Sequence, residues 1–155
     1  MASCRSSGSR GNELDMNSFH EIDYQRQLIT AGLDDFSPNA ALPGVYGGQF
    51  GQNPDMWKRE VIEFLCVNVR CGLLEATHRK DISGNDGARL LADLLTNGDK
   101  DNHFDTDIVW SATYFNSSRK LDEILERLNL RTWDALELGL NIALITEIKE
   151  LYADV

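Results

Sequence analysis

The stretch TNGDKDNHFDTD, from Thr96 to Asp107, concentrates the residue types that bind metals or perform acid–base chemistry. It holds four aspartates, one histidine, two asparagines and a glycine. Carboxylate and amide oxygens suit Ca²⁺, and an imidazole beside a carboxylate suits a transition metal or a general base. The stretch therefore indicates a metal site, a catalytic loop, or an acidic surface for a basic protein.

The spacing of these acids does not match an EF-hand. That motif has oxygen ligands at positions one, three and five, a glycine at six and a bidentate Glu at twelve. Counting from Asp99 places Phe104 at position six and Trp110 at position twelve. Counting from Asn97 places Asn102 at position six and Ile108 at position twelve, so the glycine and the glutamate are missing there too. Because the glycine of the sharp turn and the strongest ligand are missing, we expect neither a metal nor a cofactor.

Catalytic motifs are equally poorly matched. The histidines, His20, His78 and His103, are far apart in sequence, and no H-E-x-x-H, C-x-x-C, G-x-S-x-G or P-loop pattern occurs. The run THRKD groups His78 with charged neighbours but offers no positioned nucleophile. We therefore predict no catalytic residues and no enzyme activity. A metal-dependent hydrolase using His78, His103 and the acids of residues 99–107 remains the alternative.

The charge of the chain is strongly negative and unevenly distributed. The formal net charge is −10. Residues 16–56 carry five acids and one base, residues 57–98 carry six of each, and residues 99–155 carry twelve acids and six bases. Such a surface repels nucleic acid and anionic membranes and attracts basic proteins. No apolar run approaches the roughly 20 residues that cross a bilayer, so we expect neither nucleic-acid binding nor membrane insertion.

Hydrophobic periodicity predicts an all-α fold, a single-domain bundle of about five to six helices. Residues 1–15 are predicted to be a disordered tail, and residues 16–155 to form the domain. Residues 107–115 are ambiguous between helix and a short strand, because β-branched and aromatic residues lie between helical segments. Capping residues predict the helix ends. The first helix is expected to begin at Ser18 and end at Gly32, the second to run from Asn53 to Gly72, and the third from Asn85 to Gly98. A further helix is expected to begin at Ser117 or Ser118, and a long last helix after Thr132.

Residues 33–53 form the longest predicted connection between helices. They contain two of the three prolines and several glycines, together with Phe36, Tyr46 and Phe50. A structureless loop of this length is unusual in a compact domain. We therefore expect it to be functional or to be ordered by its aromatic residues.

Acidic residues adjoin aromatic residues in GLDDFS and in DKDNHFDTDIVW. With the small size, the acidity, the three cysteines and the lack of catalytic motifs, these stretches give the chain a class-level resemblance. It resembles the bacterial immunity proteins of polymorphic-toxin and contact-dependent growth inhibition systems. The resemblance implies a cytoplasmic protein that covers the active site of one cognate toxin domain, expected to be a basic nuclease.

Under this interpretation the partner-binding residues form two groups. Carboxylates steer a cationic partner, and aromatic residues supply the energy of the contact. The first group comprises Asp99, Asp101, Phe104, Asp105, Asp107 and Trp110, and the second comprises Asp34, Asp35 and Phe36. Core packing is an equal alternative for Trp110, and a regulatory adaptor that binds through the 33–53 loop is a further alternative for the whole protein.

Overall fold

The computed structural model describes residues 20–154 and confirms the predicted helical fold class, since 61% of it is helical. Within these residues there are six α-helices and one two-stranded antiparallel sheet. The helices are α1 (Glu21–Ala31), α2 (Pro54–Arg70), α3 (Gly84–Asn97), α4 (Thr106–Ala112), α5 (Arg119–Arg127) and α6 (Ile142–Ala153). The strands are β1 (Leu74–Ala76) and β2 (Phe115–Ser117), and 3₁₀ helices span Pro38–Ala40, Gly48–Phe50 and Trp133–Glu137. The predicted tail and the predicted cap Ser18 lie outside the described residues.

Helix α2 is the central element of the core. It begins as predicted, because Pro54 occupies the first turn and Asn53 Oδ1 accepts a hydrogen bond from Met56 N at 3.4 Å. The helix is buried on more than one side, because its sequence carries two apolar stripes. Its buried residues are Trp57, Val61, Phe64, Leu65, Cys66, Val67, Asn68 and Val69.

Helix α3 packs along α2 in the opposite direction. Towards the end of α2, Cys66 Sγ lies 3.5 Å from Ala88 O near the start of α3. At the other end, Trp110 Nε1 donates to Leu95 O at 2.8 Å, and its ring packs against Trp57. The end of α3 and the acidic loop that follows therefore lie beside the N-terminal end of α2.

Residues 107–115, which the sequence leaves ambiguous between helix and strand, contain part of each. The segment is helical through Ala112, and β2 begins at Phe115. β2 pairs with β1 in a register that places Ala76 opposite Phe115. Phe115 is fully buried and also exchanges backbone hydrogen bonds with Phe36, at 3.0 and 2.9 Å. β1 has only three residues, so the sequence contains almost no periodic signal for it.

The prediction of one long last helix after Thr132 is wrong. Thr132 does cap a helix, with its Oγ1 accepting from Ala135 N at 3.2 Å, but this helix is of the 3₁₀ type and ends at Glu137. Gly139 and Asn141 interrupt it, and Asn141 Oδ1 then caps α6 by accepting from Leu144 N at 2.9 Å. The interruption follows from polar contacts with α1, which are described below.

Helix α3 also begins earlier than predicted. Its N-cap is Ser83, in an extended conformation, rather than Asn85, which lies inside the first turn. Gly98 ends the helix as predicted. At the start of α5, Ser118 is the cap, because its Oγ accepts from Leu121 N at 3.2 Å.

The long connection 33–53 is ordered by contacts with the core. Trp57 Nε1 donates to Ala41 O and Leu42 O at 3.0 and 3.2 Å, and Gln27 Oε1 accepts from Leu42 N at 2.8 Å. A tight turn follows, in which a Cβ added to Gly51 would lie 2.2 Å from Tyr46 O. The turn leaves the Phe50 side chain 90% exposed.

Candidate protein-interaction surface

The first six residues after Gly98 form a closed turn. Asp99 N donates to Phe104 O at 2.8 Å, and Phe104 N donates to Asp99 O at 2.9 Å. His103 adopts a left-handed conformation, with a φ of 62°. A Cβ on Gly98 would lie 2.8 Å from Phe104 O, so the close approach of the two chain segments requires glycine there. The acidic loop is therefore a defined structure with fixed ends.

Asp99 is buried and its charge is compensated inside the protein. Its carboxylate accepts hydrogen bonds from Asn102 Nδ2 at 2.9 Å and from Arg79 at 3.1 Å. The Asn102 amide, with a smaller contribution from Arg79, holds the pKa of Asp99 below its ordinary value. Asp99 thus stabilises the loop, and in this conformation it offers no free charge to a partner.

The other three aspartates of the loop, Asp101, Asp105 and Asp107, are exposed. Asp105 also caps α4, because its Oδ1 accepts from Ile108 N at 3.1 Å. Two large apolar side chains belong to the same stretch: Phe104 is 47% exposed and Ile108 is 41% exposed. The loop therefore presents apolar surface next to carboxylates, as predicted for Phe104.

Trp110 belongs to the core and not to this surface. Its indole is buried, and its ring centroid lies 5.5 Å from that of Trp57. The Lys58 ammonium lies 5.7 Å from the Trp110 ring centroid, a cation–π distance. The core-packing alternative for Trp110 is the one that the structure supports.

The second predicted group is likewise divided. Asp34 and Asp35 are exposed, and Asp34 Oδ1 accepts from Asp35 N at 2.9 Å. Phe36 is buried, because its backbone pairs with Phe115 and their rings lie 6.1 Å apart. The predicted aromatic contact of this group is therefore unavailable at the surface. The two groups are linked through α4, which contacts the 3₁₀ helix Pro38–Ala40.

An open polar groove of about 440 Å³ lies under the acidic loop. Arg79 crosses it and pairs with Asp81 at 2.9 Å and with Asp99 at 3.1 Å. Among residues 20–154, no group of three or more His, Cys, Asp or Glu side chains is arranged so that it could hold a metal ion. His78 and His103 are exposed and lie apart from any such group. The geometry gives the hydrolase alternative no support.

A set of exposed apolar residues was missed by the sequence reasoning. Trp133 is 58% exposed and Ile142 is 66% exposed, and Leu138 and Leu140 lie between them with large exposed areas. The predicted continuous helix from Thr132 would place Leu140 in the core with Leu136 and Leu144, but the interruption leaves it exposed. The Gly139–Asn141 pair was the signal that the helix is interrupted.

Within residues 20–154, none of the helices combines the length and the apolar character needed to span a membrane. Comparison of the chain with protein-family models, with curated proteins and with solved structures gives no significant match.

Proposed function

We propose that this protein is an inhibitor of the immunity type, which binds a cationic toxin domain and covers its active site. The observation that carries the proposal is the exposed apolar pair Phe104 and Ile108 among the carboxylates of Asp101, Asp105 and Asp107. Burying the exposed half of one Phe side chain contributes about 1 kcal/mol. An apolar contact flanked by charges of one sign suits a partner with a basic rim.

Charge supports the same partner chemistry. With Asp99 neutralised by Arg79, the exposed charges of the loop are three carboxylates and Lys100. The net charge of −10 adds a long-range attraction for a cation. Such attraction raises association rates of protein pairs to about 10⁸–10⁹ M⁻¹s⁻¹ at low salt. An inhibitor must capture an active toxin quickly, and it would act in the cytoplasm where the toxin arrives.

The direct experiment first asks whether a neighbouring gene encodes a toxin domain and then measures association with that domain. We expect the wild-type protein to bind and to block that domain's activity. The double variant Asp101→Lys, Asp107→Lys should associate about tenfold more slowly at low salt and show a flatter salt dependence. Asp105 is left unchanged in this variant, because its replacement would also remove the cap of α4.

A matched control is available at the opposite end of α2. Asp154 is exposed at the end of α6, whose last turn contacts Cys71 through Leu151 O at 3.5 Å. Trp57 and Cys71 are separated by about 21 Å of helix, so Asp154 is remote from the acidic loop. The double variant Glu150→Lys, Asp154→Lys changes the net charge by the same amount at exposed positions of this end, and it should leave the association rate close to that of the wild type. Equal rates for the loop double variant and the wild type would remove the loop from the interface.

One observation favours the adaptor alternative. Phe50 is 90% exposed, and Tyr46 at the start of the same turn adopts a left-handed φ of 53°. A strained non-glycine residue close to an exposed aromatic residue is typical of a binding loop. If Phe50→Ala abolishes binding of the toxin domain while the charge reversals do not, the 33–53 loop is the principal contact.

A further inference from the structure

The strongest unexplained feature outside the acidic loop is an apolar ridge, defined as Trp133, Leu138, Leu140 and Ile142. All four side chains are exposed, and they fall within ten consecutive residues. Large apolar side chains scattered singly over a surface are normal, whereas four exposed ones within one short segment are typical of an interaction site. The ridge is also independent of the acidic loop 99–107 in sequence.

The backbone of the ridge is held rigidly by the buried side chain of Gln25. Gln25 Nε2 donates to Gly139 O at 2.9 Å, and Gln25 Oε1 accepts from Asn141 N at 2.7 Å. Both ends of one amide are thus used to fix the segment between Glu137 and α6. A surface that is already ordered loses less conformational entropy on binding, which favours its use as a docking site.

The ridge lies in an acidic environment. From Thr132 to Ile148 there are three acids and no Lys or Arg. The nearest bases along the chain are already paired: Arg131 with Glu126 at 2.6 Å, and Lys149 with Glu21. Arg26, next to Gln25 on α1, is a further exposed base near this segment, but the acids Asp34, Asp35, Asp134 and Glu137 outnumber it. The surface around the ridge therefore combines apolar area with a net negative charge.

The ridge also begins beside the second predicted acidic patch. Arg131 Nε donates to Gly32 O at 2.8 Å, which brings the start of the segment next to the turn before Asp34 and Asp35. Phe36 is buried, so it cannot supply the aromatic contact for these carboxylates. Trp133, two residues after Arg131, is exposed and can do so.

We propose that the apolar ridge is a second docking surface, which fits an apolar cleft with a basic rim on the same partner. This inference rests on the proposed function, because it assumes the same toxin domain. A second copy of this chain is the less favourable occupant, since its net charge of −10 would bring like charges together. Trp133 is the central contact, and Asp34, Asp35, Asp134 and Glu137 are its charged rim.

The test uses a substitution that adds bulk without straining the fold. A Cβ on Gly139 would meet no atom within 4 Å, and its φ lies outside the left-handed region. Gly139→Gln should therefore leave the unfolding temperature unchanged while obstructing the ridge. We expect Gly139→Gln and Trp133→Ala each to weaken binding of the neighbouring gene's toxin domain at least tenfold, as loss of a central contact does.

The matched control is Ala153→Gln, which adds the same side chain at an exposed position about 17 Å further along α6. Its dissociation constant should equal that of the wild type. If the wild type binds and both ridge variants bind equally well, the ridge is not a docking surface and the proposed function stands. If the wild type forms no complex, the proposed function and this inference both fail. A wild-type dimer in light scattering that becomes monomeric with Gly139→Gln would assign the ridge to a second copy instead.

Discussion

The buried amide of Gln25 provides the sharpest test of how the structure is held together. Gln25→Met keeps a side chain of similar length but removes the bonds to Gly139 O and Asn141 N. Two net hydrogen bonds contribute about 1 kcal/mol each, and two orphaned, partly buried backbone groups add a similar amount, so the loss is about 2–4 kcal/mol. We expect the fold to persist with a weakened junction between residues 138 and 142.

Two measurements would show this loss. With a slope of about 1.5 kcal/mol per M, the urea midpoint should fall by roughly 1–3 M. In native-state hydrogen exchange the Asn141 amide should lose more protection than amides of α2. Arg26→Met, an exposed change at the next position of α1, serves as the control and should shift stability by less than about 0.5 kcal/mol. A Gln25→Met protein as stable as this control, with Asn141 still protected, would refute the assignment of Gln25 as the fixing residue.

Three further predictions concern separate parts of the molecule. Gly51→Ala should lower the melting temperature by many degrees, because the new methyl group would lie 2.2 Å from the backbone oxygen of Tyr46; an unchanged melting temperature would contradict the described turn. Burial raises the pKa of Tyr24 well above its ordinary value, so its stabilising effect is present below about pH 10 and is lost as the pH rises further. Tyr24→Phe should therefore lose less stability than the wild type in alkaline denaturation, and parallel pH profiles would count against this. Asp105→Ala should destabilise the protein by about 1 kcal/mol through loss of the α4 cap, whereas Asp105→Asn should retain most of the stability that the cap contributes. Thermal unfolding of the two variants measures the difference.

The parts of the fold that depend on local signals are predictable from the sequence. Asn53 and Pro54 mark the start of α2, and Gly98 ends α3, because caps and breakers act within a few residues. The interruption at residues 138–141 has a local signal in Gly139 and Asn141, but its conformation is fixed by Gln25, more than a hundred residues earlier. The hydrophobic periodicity runs through the segment and does not contain that contact, so the periodicity alone predicts a continuous helix.

The division between exposed and buried site residues is also a tertiary property. Asp99 and Asp101 are indistinguishable in sequence, yet only Asp99 meets Arg79. Trp110 and Trp133 each lie within three residues of an aspartate, but only Trp110 reaches the core. The sequence predicted an acidic, aromatic surface; which of its members face the solvent depends on how α2, α3 and α4 pack.

The arrangement of the three tryptophans gives the protein two distinct optical probes. Trp57 and Trp110 share one apolar environment with ring centroids 5.5 Å apart, whereas Trp133 is largely exposed. The fluorescence emission of Trp57 and Trp110 should be blue-shifted and protected from quenching by acrylamide. The emission of Trp133 should be red-shifted and readily quenched. Loss of quenching alone then reports that the ridge is covered, and a red shift of the buried pair reports unfolding. Occupancy and stability can thus be followed in one unlabelled sample.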